Sequence, residues 1–529
     1  MHTLLAILLL ALPAAAAEDD LLTVAEASGY QATATHAQVM DLLRRIDRVD
    51  DERANIMRLT EFGRSFEGRP LPLAIVADPP IATPAEARES GKPIVYVWAN
   101  IHAGEVCGKE ALLMLAREFV TTPDHPLLDD LVILLAPIYN PDGNDRMSPD
   151  NRPGQVGPEE GMGQRANAQD LDLNRDWVKL DSPEAQAMVK VLTQWDPHIV
   201  IDCHTTDGSH HRNALTYAGL LNPSCHRPSL LFVRDELLPA VTERLRDRTG
   251  YETFSYGNFN RDYTVWATYS ADARYSGPYC GLRGHMSILS EAHAYIPYKD
   301  RIIATREFVR EIMRYAAEHK QRVMELHDAA RAETIDAGLN PQPDDCVGIR
   351  HDGIAFNEPV IVKGWVMKEV EGRRRPQPTN VEKDYEVIHV GRFLPTVSVR
   401  RPYAYILAPG MDDIVDKLRQ HGIEVRPFEG EARVEAYTIT NIQRSEREYQ
   451  KHHAVSLDVE AHDAIETFPE GSVMVPTAQP LGTLAVYLLE PRSADGLMRW
   501  NFFDDHIAPG EVLPAYRVRS PGDLGAPAP

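Results

Sequence analysis

Cysteine is scarce in this chain of 529 residues: there are five (Cys107, Cys203, Cys225, Cys280, Cys346) and no CxxC pair. That spacing excludes a disulfide framework, a zinc ribbon and a thioredoxin-like redox site. Cys107 and Cys203 have apolar flanks, which predicts packing rather than ligation, and pairing among the other three is left open. Long apolar runs are as rare. After the N-terminus no segment is long and apolar enough to be a transmembrane helix. Positive charge is in deficit too. With 55 basic against 78 acidic residues and a net charge of -23, the surface would repel phosphate instead of releasing counterions from it. Nucleic acid and anionic membranes are excluded as partners on that ground. No internal repeat is present.

The first residues, MHTLLAILLLALPAAAAEDD, read as a secretory signal over 1–17: an apolar run from Leu4 to Leu12, then small residues that suit signal peptidase. The mature protein is expected to be periplasmic or secreted, with no stable membrane association. Its length calls for two domains. From 18 to 335, apolar runs of strand length (KPIVYVWAN, LVILLAPIYN, HIVIDCHTT, NALTYAGLL, HMSILSEAHAY) alternate with segments of helical spacing such as KEALLMLAREFV. That alternation predicts an α/β domain with a largely buried sheet, ending in one long helix, RIIATREFVREIMRYAAEHKQRVMELHDAARAE. After the linker AGLNPQPDDC the texture changes. Residues 345–520 read as a β-rich domain whose strands include TLAVYLLE, with a single helix at MDDIVDKLRQHG.

Polar residues gather where the strands of the first domain end, which is where open α/β sheets place ligand sites. In WANIHAGEVCGKEALLMLA, residues 98–116, His102 and Glu105 sit three apart at a strand-to-helix junction, flanked by Gly104 and Gly108. Zinc needs three protein ligands and an open position for hydrolytic work, and a His/His/carboxylate set is one of the common solutions. The third ligand is expected at another strand end, where PHIVIDCHTTDGSHH offers His204. His198 would be at the wrong end of that strand, and His210 and His211 are expected to face solvent. HMSILSEAHAY ends a strand with Glu291, a base to activate water. RANAQDLDLNRDW carries Arg165, Asn174 and Arg175, and a guanidinium beside an amide suits capture of a carboxylate.

The HxxE pair, NPDG at 140–143, the NR pair at 174–175, a strand-end His and a strand-end Glu, in that order, resemble the zinc carboxypeptidase A family. GRSFEGRPLP at 63–72 resembles that family's opening strand motif, and the β-rich region resembles the C-terminal extension of some large bacterial members. The resemblance implies an α/β/α sandwich with a mixed central sheet, one zinc on His102, Glu105 and His204, and Glu291 as general base. It implies Asn174 and Arg175 on the terminal carboxylate of a peptide substrate, and Arg165 at the scissile carbonyl, with Arg146 and Arg152 competing for that role. Among Tyr269, Tyr275 and Tyr279, Tyr279 is taken as the tyrosine that closes over substrate. One departure stands out: the residue before Glu105 is glycine, where pancreatic-type members carry arginine. The expected activity is zinc-dependent hydrolysis of C-terminal peptide bonds. The alternatives are a zinc deacylase or amidase acting on N-acyl amino acids or peptidoglycan stem peptides, and an inactive peptide-binding module.

Overall fold

In the computed structural model residues 21–51, 55–372 and 376–525 are described, so the predicted signal segment lies outside the described residues. The first ten strands are β1 (Met57–Arg64), β2 (Pro70–Val76), β3 (Ile94–Ala99), β4 (Val132–Ala136), β5 (Ile199–Thr206), β6 (Leu215–Ala218), β7 (Thr253–Ser255), β8 (Asn258–Phe259), β9 (Val265–Ala267) and β10 (Met286–His293). Eight of them form one sheet in the order β1-β2-β4-β3-β5-β10-β6-β7. Its centre, β4-β3-β5-β10, is parallel, while β1, β2 and β6 join antiparallel, so the sheet is mixed as expected.

Both faces of this sheet are covered, which is why β3 (IVYVWA) and β4 (VILLA) are apolar at every position. Side chains alternate between faces along a strand. Val95, Val97 and Ala99 pack with the helices α1 (His36–Asp51) and α2 (Cys107–Thr121). Ile94, Tyr96 and Trp98 pack on the other side with α3 (Pro183–Trp195). Further helices are α4 (Leu238–Thr249), α5 (Ser276–Leu282), α6 (Tyr298–Glu318) and α7 (Lys320–Leu339). The last two replace the single long helix expected from the sequence. His319 breaks it: its backbone leaves helical geometry (φ -116°, ψ 26°) and its Nδ1 bonds the Tyr315 carbonyl at 2.9 Å.

Beyond residue 345 come β11 (Cys346–Ala355), β12 (Val360–Lys368), β13 (Gln377–Arg400), β14 (Ala404–Leu407), β15 (Arg426–Pro427), β16 (Gly430–Tyr449), β17 (His452–Phe468), β18 (Val473–Pro476) and β19 (Ala515–Val518). The helices here are α8 (Asp412–Gln420) and α9 (Gly482–Leu489). The α9 segment was expected as a strand. All eight of its residues are buried, and a short run that is apolar on every side carries no period by which to tell the two apart. No helix among the described residues is long and apolar enough to cross a membrane.

The β-rich region is not a separate bead. Its β13 pairs in parallel with β9 of the first half. Tyr405, Ile414, Leu418 and Leu484 belong to the same apolar cluster as Trp98, Trp177 and Leu192. Arg283 donates to the His421 carbonyl at 2.7 Å across this boundary. A shared core makes for shared unfolding. Calorimetry of the full chain is expected to show one cooperative transition; two resolved transitions would show that the halves stand alone.

Candidate metal centre and active site

The parallel centre of the sheet brings distant residues to one edge. Glu291 of β10 is the register partner of His204 of β5, and Ala99, which ends β3, is the partner of Cys203. Asn100 then turns the chain in a left-handed conformation (φ 67°) and leads to His102 and Glu105 just before α2. The two glycines of that junction now have a reason. A Cβ on Gly108 would stand 2.7 Å from the Cβ of Cys203 and 2.9 Å from that of Ala99, so glycine lets α2 lie against β3 and β5. A Cβ on Gly104 would stand 2.6 Å from Cδ of Arg152. The Arg152 stem fills that space, and its Nη1 donates to Glu105 Oε1 at 2.8 Å. The cation missing beside Glu105 in sequence is thus replaced from a distant loop.

His102, Glu105 and His204 are buried and converge. His102 Nδ1 lies 3.0 Å from Glu105 Oε1, and His204 Nδ1 lies 2.9 Å from Glu105 Oε2 and 3.2 Å from His102 Nδ1. Ligands about 2.0–2.1 Å from a tetrahedral zinc are separated by only slightly more than this, so the donor set fits one zinc ion. The far side of each ring agrees. His102 Nε2 meets Asp172 Oδ1 at 3.0 Å, and His204 Nε2 meets Asp202 Oδ2 at 2.8 Å. An ionised carboxylate only accepts, so each Nε2 carries the hydrogen and each Nδ1 lone pair is left for a metal. Burial opposes charge on Glu105, yet His102 and Arg152 hold its carboxyl well below the usual carboxylate range. Burial, together with the carboxylates of Glu105 and Asp202, pushes Glu291 up to about 8, against the pull of His204 and Arg152.

A second trio, Asp196, His285 and His327, lies at the opposite ends of the strands. There Arg331 of α7 already pairs with the Asp196 carboxylate, its Nε 2.8 Å from Oδ2. The charge is matched without an ion.

A cleft of about 170 Å³ opens over the first trio, lined by His102, Glu105, Arg165, Asn174, Arg175 and Glu291 among others. Of the three candidate arginines, Arg165 lines it, with Nε on Asp172 Oδ2 at 2.9 Å. Arg146 instead pairs with Glu67, and Arg152 backs Glu105 from behind. Arg175 lies over the Tyr275 ring at 4.4 Å and donates from Nη1 to the Asn174 carbonyl at 2.7 Å.

Two expectations need correction. Tyr279 does not reach the cleft: it is fully buried, packed on Trp177, with its hydroxyl on His421 Nδ1 at 2.7 Å. The face of α5 that carries it is covered by the C-terminal region, and the tyrosines that line the cleft are Tyr256, Tyr269 and Tyr275. His211 does not face solvent either. It is buried, stacked on His293 at 3.8 Å, because β12 bridges it at Gly364. All five cysteines are free, and Cys107 and Cys203 are buried.

Comparison with known proteins bears on this geometry. The chain matches the zinc carboxypeptidase family over residues 42–211. That stretch holds the candidate zinc trio, Arg165, Asn174 and Arg175, and stops short of Glu291. Carboxypeptidase 2 of Trichophyton equinum is 22% identical over 483 residues, covering 86% of this chain and 82% of the fungal protein. A match that long runs into the β-rich region as well. The human carboxypeptidase N catalytic chain is 33% identical over 159 residues, 28% of this chain and 32% of its own. The carboxypeptidase A structure from Helicoverpa armigera superposes with a TM-score of 0.41 at 17% identity, covering 57% of this chain and 80% of that one.

The trio rests on Asp172 and Asp202, and neither was singled out from sequence. Asp202 had a signal, since two residues before His204 on a strand is the same face. Replacing Asp202 by Asn removes the charge that fixes the His204 ring. Zinc affinity is expected to fall about 10–100-fold, measured by competition with a chromophoric chelator. Unchanged affinity would take Asp202 out of the metal's support.

Proposed function

We propose that the protein is a zinc metallocarboxypeptidase that removes C-terminal residues from peptides with a free carboxylate. One observation carries this reading: a single cleft at a zinc-competent trio is lined by Glu291 and by an Asn/Arg pair. Zinc on His102, Glu105 and His204 would polarise the scissile carbonyl and lower the pKa of bound water. Glu291, at the end of β10 and in register with His204, takes the proton from the attacking water and returns it to the leaving amine. The Arg165 guanidinium, tied to Asp172, is the donor for the carbonyl oxygen as it becomes negative. Asn174 and Arg175 orient the substrate by its terminal carboxylate. The same reading takes the N-terminal apolar run and the small residues after it as an export signal, which places the activity in the periplasm or outside the cell.

Glu291→Gln keeps the shape and an acceptor oxygen but cannot take a proton. Zinc content is expected to stay at the wild-type level while turnover falls by about 10²–10⁴. Near-normal turnover in zinc-loaded protein would move the base elsewhere.

Amidating the substrate's C-terminus tests the clamp. It leaves Arg175 without its anion, a loss of about 2–5 kcal/mol, or about 30- to 4,000-fold in kcat/KM. Arg175→Ala is expected to lose a similar factor on the free acid and little more on the amide, the non-additivity of a direct contact. Equal cleavage of acid and amide by wild type would favour an endopeptidase or amidase. Cleavage confined to N-acyl amino acids would favour a deacylase.

A further inference from the structure

β16 and β17 form a hairpin whose closing pair is Tyr449 and His452, with Gln450 and Lys451 as its two-residue turn. The turn has positive φ at both residues, 53° and 63°. Such turns favour Asn-Gly, so Gln-Lys here is a costly choice. The side chains at this tip end on the candidate active site. The Arg175 Nε donates to the Tyr449 hydroxyl at 3.1 Å. The backbone N–H of Asp172 donates to Gln450 Oε1 at 2.8 Å, and Asp172 in turn caps the turn that carries Asn174 and Arg175. His452 Nε2 meets Asp181 Oδ2 at 2.8 Å, and Tyr449 stacks on Trp500 at 6.1 Å.

We propose that Tyr449 and Gln450 are positioning residues for the carboxylate clamp, so that the C-terminal region completes the substrate-binding end of the cleft. The inference rests on the reading of Arg175 as that clamp. Tyr449 fixes Nε, the Asn174 carbonyl fixes Nη1, and Tyr275 supports the guanidinium face. Nη2 has no hydrogen-bond partner among the described residues, so one donor edge is presented in a set orientation to an anion. Gln450 holds the backbone from which that side chain projects.

The test uses full-length, zinc-loaded protein and one peptide as free acid and as amide. Tyr449→Phe keeps the ring and its stacking and removes only the hydroxyl. KM for the free acid is expected to rise about three- to tenfold, the scale of one hydrogen bond to a charged group that is partly open to water, with kcat within about twofold. Cleavage of the amide is expected to stay at the wild-type rate, so the preference for acid over amide shrinks. Gln450→Asn combined with Lys451→Gly keeps a favourable turn and shortens the reach to Asp172, and a rise in KM for the acid alone is expected again. Neither variant is expected to melt below wild type, and the Asn-Gly turn should melt somewhat higher. A wild-type KM and acid preference in both variants would overturn the proposal while Arg175→Ala keeps the clamp standing. If wild type itself shows no preference for the acid, the clamp falls and this inference with it.

Discussion

One carboxylate ties the site together. Asp172 accepts from His102 Nε2, from Arg165 Nε and from the backbone N–H of Asn174, and lies 3.9 Å from Arg175 Nη1. Burial disfavours its charge, and His102, Arg165 and Arg175 around it nonetheless hold its pKa well down. A zinc-ligand candidate, the proposed cation for the carbonyl oxygen and the proposed carboxylate clamp are therefore referenced to one anion. Because those groups share a partner, their contributions to catalysis will not add independently. Removing the carboxylate would strand several donors at once, where removing any one donor leaves the others held.

The sheet sets where that anion can be. Strands covered on both faces have no place for charge along their length, so polar side chains are pushed to the ends. The C-terminal ends of β3 and β5 receive the metal ligands or lead to them, and β10 supplies Glu291. One of the two covers, α3, is in turn backed by the β-rich region, through the cluster that includes Trp98, Leu192, Tyr405 and Leu484. The second half of the chain thus packs on the layer that covers the sheet whose edge carries the chemistry.

Much of this was legible in the sequence. The apolar runs of β3, β4, β5 and β10 stood out because double coverage leaves few polar positions to blur them. His102, Glu105, His204 and Glu291 stood out because each follows such a run. Other features had no local signal. Tyr279 looks like a cleft tyrosine until the C-terminal region is seen to cover its helix face, and its contact with His421 spans 142 positions. The α9 run could be strand or helix by pattern alone. Arg152 competed with Arg165 on spacing, and only the space left by Gly104 shows which side of Glu105 it occupies. Tyr449 lies 274 positions from Arg175, beyond any motif.

The hairpin is also a mechanical object. β16 alone has 20 residues, which at about 3.3 Å per residue gives an arm up to about 65 Å long. It is not free along that length: Ala432 and Val434 are buried near its base, and Val455 and Leu457 of β17 are buried near its tip. A strand pair of that length takes its accuracy from contacts made along it and not from its root alone. The alignment of Tyr449 must be set at the far end, by His452 on Asp181, Arg444 on Asp504 and the Trp500 ring beside the tip. The clasp, rather than the beam, is where this chain guarantees its tolerances.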